Sequence, residues 1–389
     1  MSLPRTSVAT MAPVIWTAAI ILFITVGSHL ATIAVAIIRC RARTDVEPPP
    51  PDAPSISVVR PVCGLDNFVE STLRSGFELD YPDYELLFCV AAARDPVVPT
   101  VRRLIDEHPH VRARLLIGDE RISANPKLNN CAKGWDAAAH DWIVLADSNV
   151  LLPPDYLTRL WKGWREDTGL VCSPPSGTAP EGFWANVECA VLNTYEARWQ
   201  YVADSLGVGF AQGKTMFWRR SVLEDAGGIR LLGLEPAEDA ASTKVVRDAG
   251  LRVRLVDAPF PQPLGHRTAL EVWRRQARWA QLRRASFPHF YFLEIIGGAL
   301  LASIAAAVLA TALDLSWIPA VLAVTILWYG TEMKLARAAG WPLSRLYPLH
   351  ALVRDLALPA LWVSGWLGSD FVWRGTAMSS VTASESPQA

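Results

Sequence analysis

The sequence predicts an α/β domain with a doubly wound, mostly parallel sheet, placed between membrane helices at both ends of the chain. Strand and helix patterns alternate between residues 56 and 146, and such alternation is typical of parallel sheets. Residues 14–38 contain no Asp, Glu, Lys or Arg. That run exceeds the ~20 residues that cross about 30 Å of hydrocarbon, and further apolar runs follow residue 290.

Composition agrees with this fold class. The chain has 389 residues, of which 51% are hydrophobic and 19% charged, enough for one soluble core and several membrane segments. Its formal charge of −1 argues against a strongly basic nucleic-acid-binding protein, so no nucleic acid is expected as a partner. The six cysteines have neither CxxC nor metal-ligand spacing, which leaves reduced core thiols as the simplest interpretation.

Residues 1–43 are predicted to form an N-terminal membrane anchor with its span at 14–38. A cleaved signal peptide is the alternative, but its apolar region is about 7–15 residues long and ends at a small-residue cleavage site. Here the run is longer and ends at Arg39, Arg41 and Arg43, which favours a retained helix. Residues 44–54 are rich in proline and predict a linker.

The domain predicted at 55–265 begins with four strand patterns separated by three helix patterns. The strands are predicted at 56–60, 84–90, 114–117 and 142–146, and the helices at 67–77, 97–107 and 126–139. In open α/β sheets, ligands bind outside the carboxyl ends of the strands. Asp95 and Asp147 both follow apolar strands, so we expect their carboxylates to face one cleft.

The C-terminal region is predicted to return the chain to the membrane. An amphipathic, arginine-rich helix at 266–290 is expected at the lipid interface. The region 291–372 follows, with spans at about 295–313 and 315–333. A third segment, 346–368, is interrupted by Arg354-Asp355, so it either spans with this ion pair facing protein or lies re-entrant or interfacial. Residues 373–389 are small and polar, which predicts a disordered tail.

Basic residues flank the predicted spans on one side. The positive-inside rule therefore predicts a multi-pass integral membrane protein whose catalytic domain is cytosolic, in the inner membrane if the source is a bacterium.

Asp147-Ser148-Asn149 closes the fourth strand and resembles the DxD element of GT-A glycosyltransferases. The physical need there is for charge neutralisation, because a leaving nucleoside diphosphate brings two to three negative charges. Asp147 and Asn149 are therefore predicted to hold a divalent cation, Mg²⁺ or Mn²⁺, through oxygen ligands. The alternatives are that Asp147 is a turn residue and that Asp95 caps the helix beginning at Pro96.

Two helix starts carry further polar groups. Lys127 and Asn129 lie at the start of one helix, where the helix dipole and the lysine favour a phosphate, although Asn125 can also act as a plain helix cap. Glu238 and Asp239 open another helix. We expect Asp239 to be the general base, with Glu238 as its orienting neighbour, and helix capping is again the alternative.

Arg275, Arg278 and Trp279 resemble the (Q/R)xxRW motif. Arg275 and Arg278 are three residues apart and share one helix face, with Trp279 one turn beyond Arg275. Pure membrane anchoring is the competing interpretation of these arginines.

Five segments together resemble the ceramide glucosyltransferases of glycosyltransferase family 21. They are residues 82–90, the Asn-Pro-Lys segment at 125–127, Asp147-Ser148, residues 209–228 and the arginine motif at 275–279. The resemblance implies a GT-A fold, UDP-glucose as donor, a lipid acceptor such as ceramide, and inversion at the anomeric carbon.

The resemblance also implies roles for particular residues. It assigns Asp95 to the uridine and donor side, Asp147 to metal and diphosphate, and Asp239 to the base. Arg275, Arg278 and Trp279 would close over the diphosphate.

The acceptor and the reaction leave alternatives open. Hopanoid N-acetylglucosaminyl transferases share the same motif set, and Glu196 stands where animal family members carry a His, so another lipid can replace ceramide. A processive polysaccharide synthase is less favoured, since few C-terminal spans are available to form a polymer channel. A catalytically inert membrane scaffold is the alternative from a different class, and the intact acidic series opposes it.

Overall fold

The computed structural model describes residues 8–41, 48–368, 370–373 and 376–379. Its helices are α1 Val8–Cys40, α2 Val69–Arg74, α3 Val98–Glu107, α4 Pro126–Ala137, α5 Tyr156–Gly163, α6 Gly182–Cys189, α7 Arg198–Ser205, α8 Arg220–Glu224, α9 Glu238–Asp248, α10 Ala269–Ser286, α11 Pro288–Leu293, α12 Ala299–Ala312, α13 Trp317–Ala338 and α14 Tyr347–Leu367. Its strands are β1 Ile56–Pro61, β2 Tyr84–Val90, β3 Arg112–Ile117, β4 Trp142–Ala146, β5 Thr168–Cys172, β6 Ser176–Glu181, β7 Thr215–Arg219, β8 Arg252–Leu255, β9 Pro261–His266, β10 Asp370–Trp373 and β11 Thr376–Ser379.

Short irregular helices complete the chain between these elements. A π-helix, Ala190–Ala197, joins α6 to α7, and 3₁₀ helices cover Ser75–Glu78, Ile229–Leu234 and Glu294–Ile296.

A seven-stranded sheet in the order β3-β2-β1-β4-β7-β5-β8 forms the centre of the domain. The four N-terminal strands are parallel, as are β5 and β8, whereas β7 runs antiparallel between β4 and β5. The mostly parallel sheet predicted from the sequence is thus confirmed. The predicted helix at 67–77 is divided in the structure into α2 and a 3₁₀ turn.

Helix α4 packs unusually close to the sheet. A Cβ on Gly134 would lie 2.8 Å from Cys89 Sγ on β2 and closer still to Val59 on β1, so only glycine fits this contact. Asn125 caps the helix by accepting from the amides of Lys127 and Leu128. The close contact and the cap together fix the start of α4 beside the carboxyl end of the sheet.

The segment predicted to be the N-terminal anchor forms one long apolar helix. Within α1, Met11–Cys40 is long and apolar enough to cross a membrane. Arg39, in its last turn, pairs with Asp204 at 2.8 Å and also with Asp257, and both aspartates belong to the globular domain. These pairs attach the end of α1 to the domain.

The C-terminal spans differ from the prediction. The segment expected to span at 295–313 is a broken pair, Pro288–Ile296 and Ala299–Ala312, bent by 48°. Helix α12 alone is about 21 Å long at 1.5 Å per residue, short of a bilayer core. By length and composition, the described part of the chain has one spanning helix, or two if the bent pair is one span.

The last residues also differ from the prediction. Residues 373–389 were expected to be disordered, yet β10 and β11 pair in antiparallel register, from Asp370 with Ser379 to Trp373 with Thr376. The other tail residues, 374–375 and 380–389, and residues 42–47 of the linker region lie outside the described residues.

A buried ionic network joins the C-terminal helices to the globular domain. Arg354 pairs with Glu332 at 3.1 Å and with Asp355 at 2.8 Å, and the three side chains are at most 3% exposed. Arg354 also donates to the backbone of Ala190 and to Thr194 on the π-helix. The charges that interrupt the segment 346–368 therefore face protein, which is one of the two arrangements the sequence left open.

We expect Gly134→Ala to destabilise the protein, because the added methyl group must push α4 away from β1 and β2. The free energy of unfolding should fall by about 1–3 kcal/mol, the usual range for overpacking. Thermal unfolding of the purified protein in detergent measures it. Gly27→Ala on α1 is the control, since its Cβ would meet nothing within 4 Å. Equal melting temperatures for the two variants would contradict the close contact.

Candidate functional site

Asp147 lies at the carboxyl end of β4 and has a lysine on each carboxylate oxygen. Lys127 Nζ lies 2.7 Å from Oδ1, and Lys214 Nζ lies 2.9 Å from Oδ2. Burial by itself would raise the pKa of Asp147, but the two ammonium groups outweigh it and hold that pKa well below its usual range. Asp147 is therefore a carboxylate at all ordinary pH values.

Lys127 links the strand end to helix α9. Besides Asp147, its ammonium group contacts Glu238 Oε1 at 2.7 Å and donates to the carbonyl of Gly213. Burial would lower the pKa of Lys127, but Asp147 and Glu238 raise it well above 10.5. Asn125 completes the link by donating to Glu238 Oε2 at 2.7 Å. One lysine and one amide thus fix both oxygens of Glu238.

Asp239 has a different environment from its neighbour. Its carboxylate accepts backbone bonds from Gly213 at 3.2 Å and from Ala240 at 2.8 Å. Burial, together with the adjacent charge of Glu238, raises the pKa of Asp239 to about 6. Two neighbouring acids therefore differ in chemistry: Glu238 is held by an ion pair, and Asp239 is poised to exchange a proton near neutral pH.

Lys214 is a site residue that the sequence reasoning missed. It directly precedes β7, whose first residue, Thr215, pairs with Ala146 of β4, so Lys214 and Asp147 are neighbours across the ladder. The Asp147 amide donates to the Lys214 carbonyl at 3.0 Å. In the sequence, Gly213-Lys214 precedes a run of β-branched and aromatic residues, which indicates the start of a strand. That pattern points to Asp147 only when the antiparallel pairing of β7 with β4 is known.

The residues predicted to hold a cation do not fit one in this arrangement. Both oxygens of Asp147 are bound by lysines, and Lys214 Nζ also donates to Asn149 Oδ1 at 3.1 Å. Among the described residues, no group of three or more His, Cys, Asp or Glu side chains could hold a metal ion. The divalent cation therefore remains a prediction from the sequence.

Helix α10 brings the arginine motif against a buried carboxylate. Arg275 Nη1 lies 2.6 Å from Glu188 Oε1, and Arg267 Nε lies 3.5 Å from Oε2, while the Glu188 side chain is fully buried. Trp279 packs against the apolar cluster that contains Leu264. Glu188 was not identified from the sequence, because a single acid in an apolar helix gives no signal of its partners.

Asp95 and Asn129, which were also predicted to bind the sugar donor, form hydrogen bonds with other parts of the structure. Asp95 accepts from the amides of Gly64 and Val97 at 2.9 Å, which joins the loop after β1 to the start of α3. The capping alternative for Asp95 differs in the structure, because α3 begins at Val98 with Val97 as its N-cap and has no side-chain capping bond. Among the described residues, the Asn129 side chain bonds with its own loop: its carbonyl oxygen accepts from Ile122 and Ser123, and its amide donates to Ser123. The carbonyl oxygen and one of the two amide N–H groups thus hold the side chain in this loop, and the donor contact of Asn129 remains a prediction from the sequence.

Sequence comparisons identify relatives over most of the chain. The model of the family described as Glycosyl transferase family 21 matches residues 21–384. Ceramide glucosyltransferase 1 of Caenorhabditis elegans is 30% identical over 268 residues, which are 68% of this chain and 57% of that protein. Ceramide glucosyltransferase 3 of the same organism is 26% identical over 328 residues, covering 82% of this chain and 72% of the relative.

A solved structure supports the fold. A mannosyltransferase from Pyrobaculum calidifontis, in complex with GDP-Man and Mn²⁺, superimposes with a TM-score of 0.51 at 19% identity. The match covers 88% of this chain and 99% of the neighbour. The domain therefore has a GT-A-like glycosyltransferase fold, built on the mostly parallel sheet.

We expect Lys127→Ala to destabilise the protein, because Glu238 loses its ion pair while buried. The free energy of unfolding should fall by about 2–3 kcal/mol, less than for a fully buried pair because the Asp147 side chain retains 18% exposure. Lys244→Ala is the matched control, since Lys244 pairs with Glu235 while 42% exposed. If both variants melt at the same temperature, Lys127 does not hold α9 to β4.

Proposed function

We propose that this chain, which belongs to glycosyl transferase family 21, is a membrane-bound inverting hexosyltransferase. In this proposal the enzyme moves glucose or a related hexose from a UDP-sugar to ceramide or a ceramide-like lipid. The observation that carries the proposal is the pair of adjacent acids, with Glu238 fixed by Lys127 and Asp239 near a pKa of about 6. The family membership supplies the substrate classes, because relatives in it are named ceramide glucosyltransferases.

Asp239 acts in this proposal as the general base of a single displacement. Its carboxylate takes the proton of the acceptor hydroxyl as that oxygen bonds to the anomeric carbon of the hexose. The bond from that carbon to the diphosphate oxygen breaks at the same time, and the electron pair leaves with the nucleoside diphosphate. Because the acceptor attacks from the face opposite the leaving group, the configuration inverts.

Fixed neighbours support that base. Lys127 and Asn125 hold Glu238 next to Asp239, and the negative charge of Glu238 contributes to the raised pKa of Asp239. A base whose pKa lies near the working pH combines sufficient basicity with a large deprotonated fraction. The bonds from Gly213 and Ala240 orient the Asp239 carboxylate before the substrate arrives.

The arginine motif is proposed to hold the diphosphate. Arg275 is held by Glu188. Burial lowers the pKa of Lys214, and the nearby charges of Lys127 and Arg275 lower it further, so Arg275 lies within electrostatic range of Lys214. Arg278 is half-buried on the same helix, and Trp279 packs against Cys189, Leu192 and Leu264. This arrangement supports the predicted closing role of α10. Asp95, on the loop between β2 and α3, remains the proposed uridine-side contact.

Membrane placement is part of the proposal. The helix α1 would anchor the chain, the broken helix formed by α11 and α12 would enter the lipid again, and α13 and α14 would complete a multi-pass arrangement with domain 55–265 in the cytosol. The ionic network of Arg354 supports it, because charges in a bilayer are stable only when they are paired inside protein. The lipid acceptor would then approach from the adjacent leaflet.

Expression of this chain in a host supplied with ceramide tests the proposed reaction. Mass spectrometry of extracted lipids should detect a new hexosylceramide, and Asp239→Asn should abolish it while UDP binding persists. Asp248→Asn, at the exposed end of the same helix, is the control and should remain active. A hexosylated hopanoid without hexosylceramide would move the acceptor to that lipid, and full turnover by Asp239→Asn would contradict the base.

The rate of transfer should depend on the protonation of Asp239. Its pKa of about 6 is raised above the ordinary 3.8, so the base form dominates above pH 6 and is lost as the pH falls through 6. Between pH 6 and pH 5, kcat should fall by about fivefold, because the deprotonated fraction of one required group falls from about one half to about one eleventh. A kcat that stays constant from pH 7 to pH 5 would contradict this assignment.

A further inference from the structure

The ammonium group of Lys214 lies between the two side chains that were expected to hold a metal ion. Its nitrogen is 2.9 Å from Asp147 Oδ2 and 3.1 Å from Asn149 Oδ1. Lys127 Nζ contacts the other carboxylate oxygen of Asp147 at 2.7 Å. The two lysines, Asp147 and Asn149 therefore form one compact cluster. The ammonium group of Lys214 thus occupies the place where the sequence predicted a metal ion.

The backbone fixes this position. Lys214 faces Asp147 across the antiparallel pairing of β7 with β4, and the amide of Asp147 donates to the carbonyl of Lys214. The Lys214 side chain is only 18% exposed. It is therefore a built part of the cleft and differs from a surface lysine that happens to fold over a carboxylate.

A metal ion and Lys214 would compete for the same place. Mg²⁺ binds oxygen ligands at about 2.1 Å, so an ion bound to Asp147 Oδ2 and Asn149 Oδ1 on the lysine side would lie within roughly 2 Å of Nζ. That separation is far below any allowed contact between two cations. Binding of the ion would require Lys214 to break its hydrogen bonds to Asp147 and Asn149.

We propose that Lys214 takes the place of the divalent cation and supplies the positive charge that faces the diphosphate of the donor. This inference rests on the proposed function, because it presumes a UDP-sugar in the cleft. Lys214 then stabilises the charge that develops on the departing diphosphate, through a direct N–H···O bond to a phosphate oxygen.

Lys127 and Lys214 differ in the number of N–H donors that remain for a ligand. A lysine ammonium group has three N–H donors. Lys127 uses all three, on Asp147, Glu238 and Gly213. Lys214 uses two among the described residues, on Asp147 and Asn149, which leaves one for a phosphate oxygen. Lys127 is accordingly a structural link, and Lys214 is the group that can contact the donor.

The charge balance of the cleft favours the same role. Lys127 and Lys214 are balanced by Asp147 and Glu238, whereas Arg267 and Arg275 share the one carboxylate of Glu188 and leave an excess of positive charge. Arg275 lies within electrostatic range of Lys214. Charge-assisted bonds from such groups to phosphate oxygens are roughly twice as strong as neutral ones. The diphosphate therefore meets fixed positive charge without a recruited ion.

The test measures UDP affinity of the full chain in lipid nanodiscs, by calorimetry, once with EDTA and once with Mn²⁺. For the unaltered protein the two Kd values should agree within about threefold, well under the tenfold change that corresponds to 1.4 kcal/mol. Lys214→Ala should bind UDP roughly tenfold more weakly or worse in EDTA, because a charged hydrogen bond is lost.

Mn²⁺ should restore UDP affinity to Lys214→Ala, since the vacated space between Asp147 and Asn149 then admits the ion. Electron paramagnetic resonance of Mn²⁺ should show ion binding to that variant and not to the unaltered protein. Lys244→Ala is the control and should behave as the unaltered protein. Lys214→Met, which keeps an apolar stem, is the second variant if Lys214→Ala fails to fold, as judged by its melting temperature.

Two results would overturn the inference. If the unaltered protein binds UDP only with Mn²⁺, the ion displaces Lys214 and the lysine has no such role. If Lys214→Met and Lys214→Ala bind UDP in EDTA as well as the unaltered protein does, Lys214 does not contact the diphosphate. Absence of UDP binding in both buffers is a distinct outcome, since it removes the proposed function itself and the inference with it.

Discussion

The ion pairs of Lys127 are the interaction on which the site depends. This lysine joins Asp147 at the end of β4 to Glu238 at the start of α9, two positions that are far apart in sequence. Both carboxylates are mostly buried, and a buried charge without a partner is strongly unfavourable. Among the described residues Asp239, next to Glu238, has no ion pair, and its pKa is raised to about 6 mainly by burial. We propose that this difference between the neighbouring acids gives the cleft its chemistry.

A second ionic network connects the C-terminal helices with the domain. Arg354 connects Glu332 on α13 with the π-helix, and Asp355 accepts from the amide of Ala299 at the start of α12. Helix α10 contacts α14 and is tied to the domain through Arg275 and Glu188. The donor cleft and the proposed lipid-facing helices are therefore parts of one packed unit, which is what transfer between a soluble donor and a lipid acceptor requires.

The sequence predicted those features that depend on local pattern. Strand β4 and the acid that follows it were predicted because apolar strands and strand-end polar residues are adjacent in sequence, and the same holds for Asp239 at a helix start. Lys214 was not predicted, because its partnership with Asp147, 67 residues away in sequence, comes from an antiparallel pairing of β4 with β7. Glu188 and the use of Asn129 within its own loop were hidden for the same reason: long-range or irregular contacts leave no periodic signal.

The central claim is that the cleft around Asp147 binds the donor diphosphate, with Asp239 facing the sugar. A structure of the full chain in lipid with UDP bound, determined by electron microscopy, tests it most directly. The account predicts the diphosphate within hydrogen-bond distance of Lys214 and beside Arg275, with the Asp239 carboxylate open toward the place of the sugar. UDP bound away from this cleft, or a metal ion between Asp147 and Asn149 with Lys214 displaced, would contradict it.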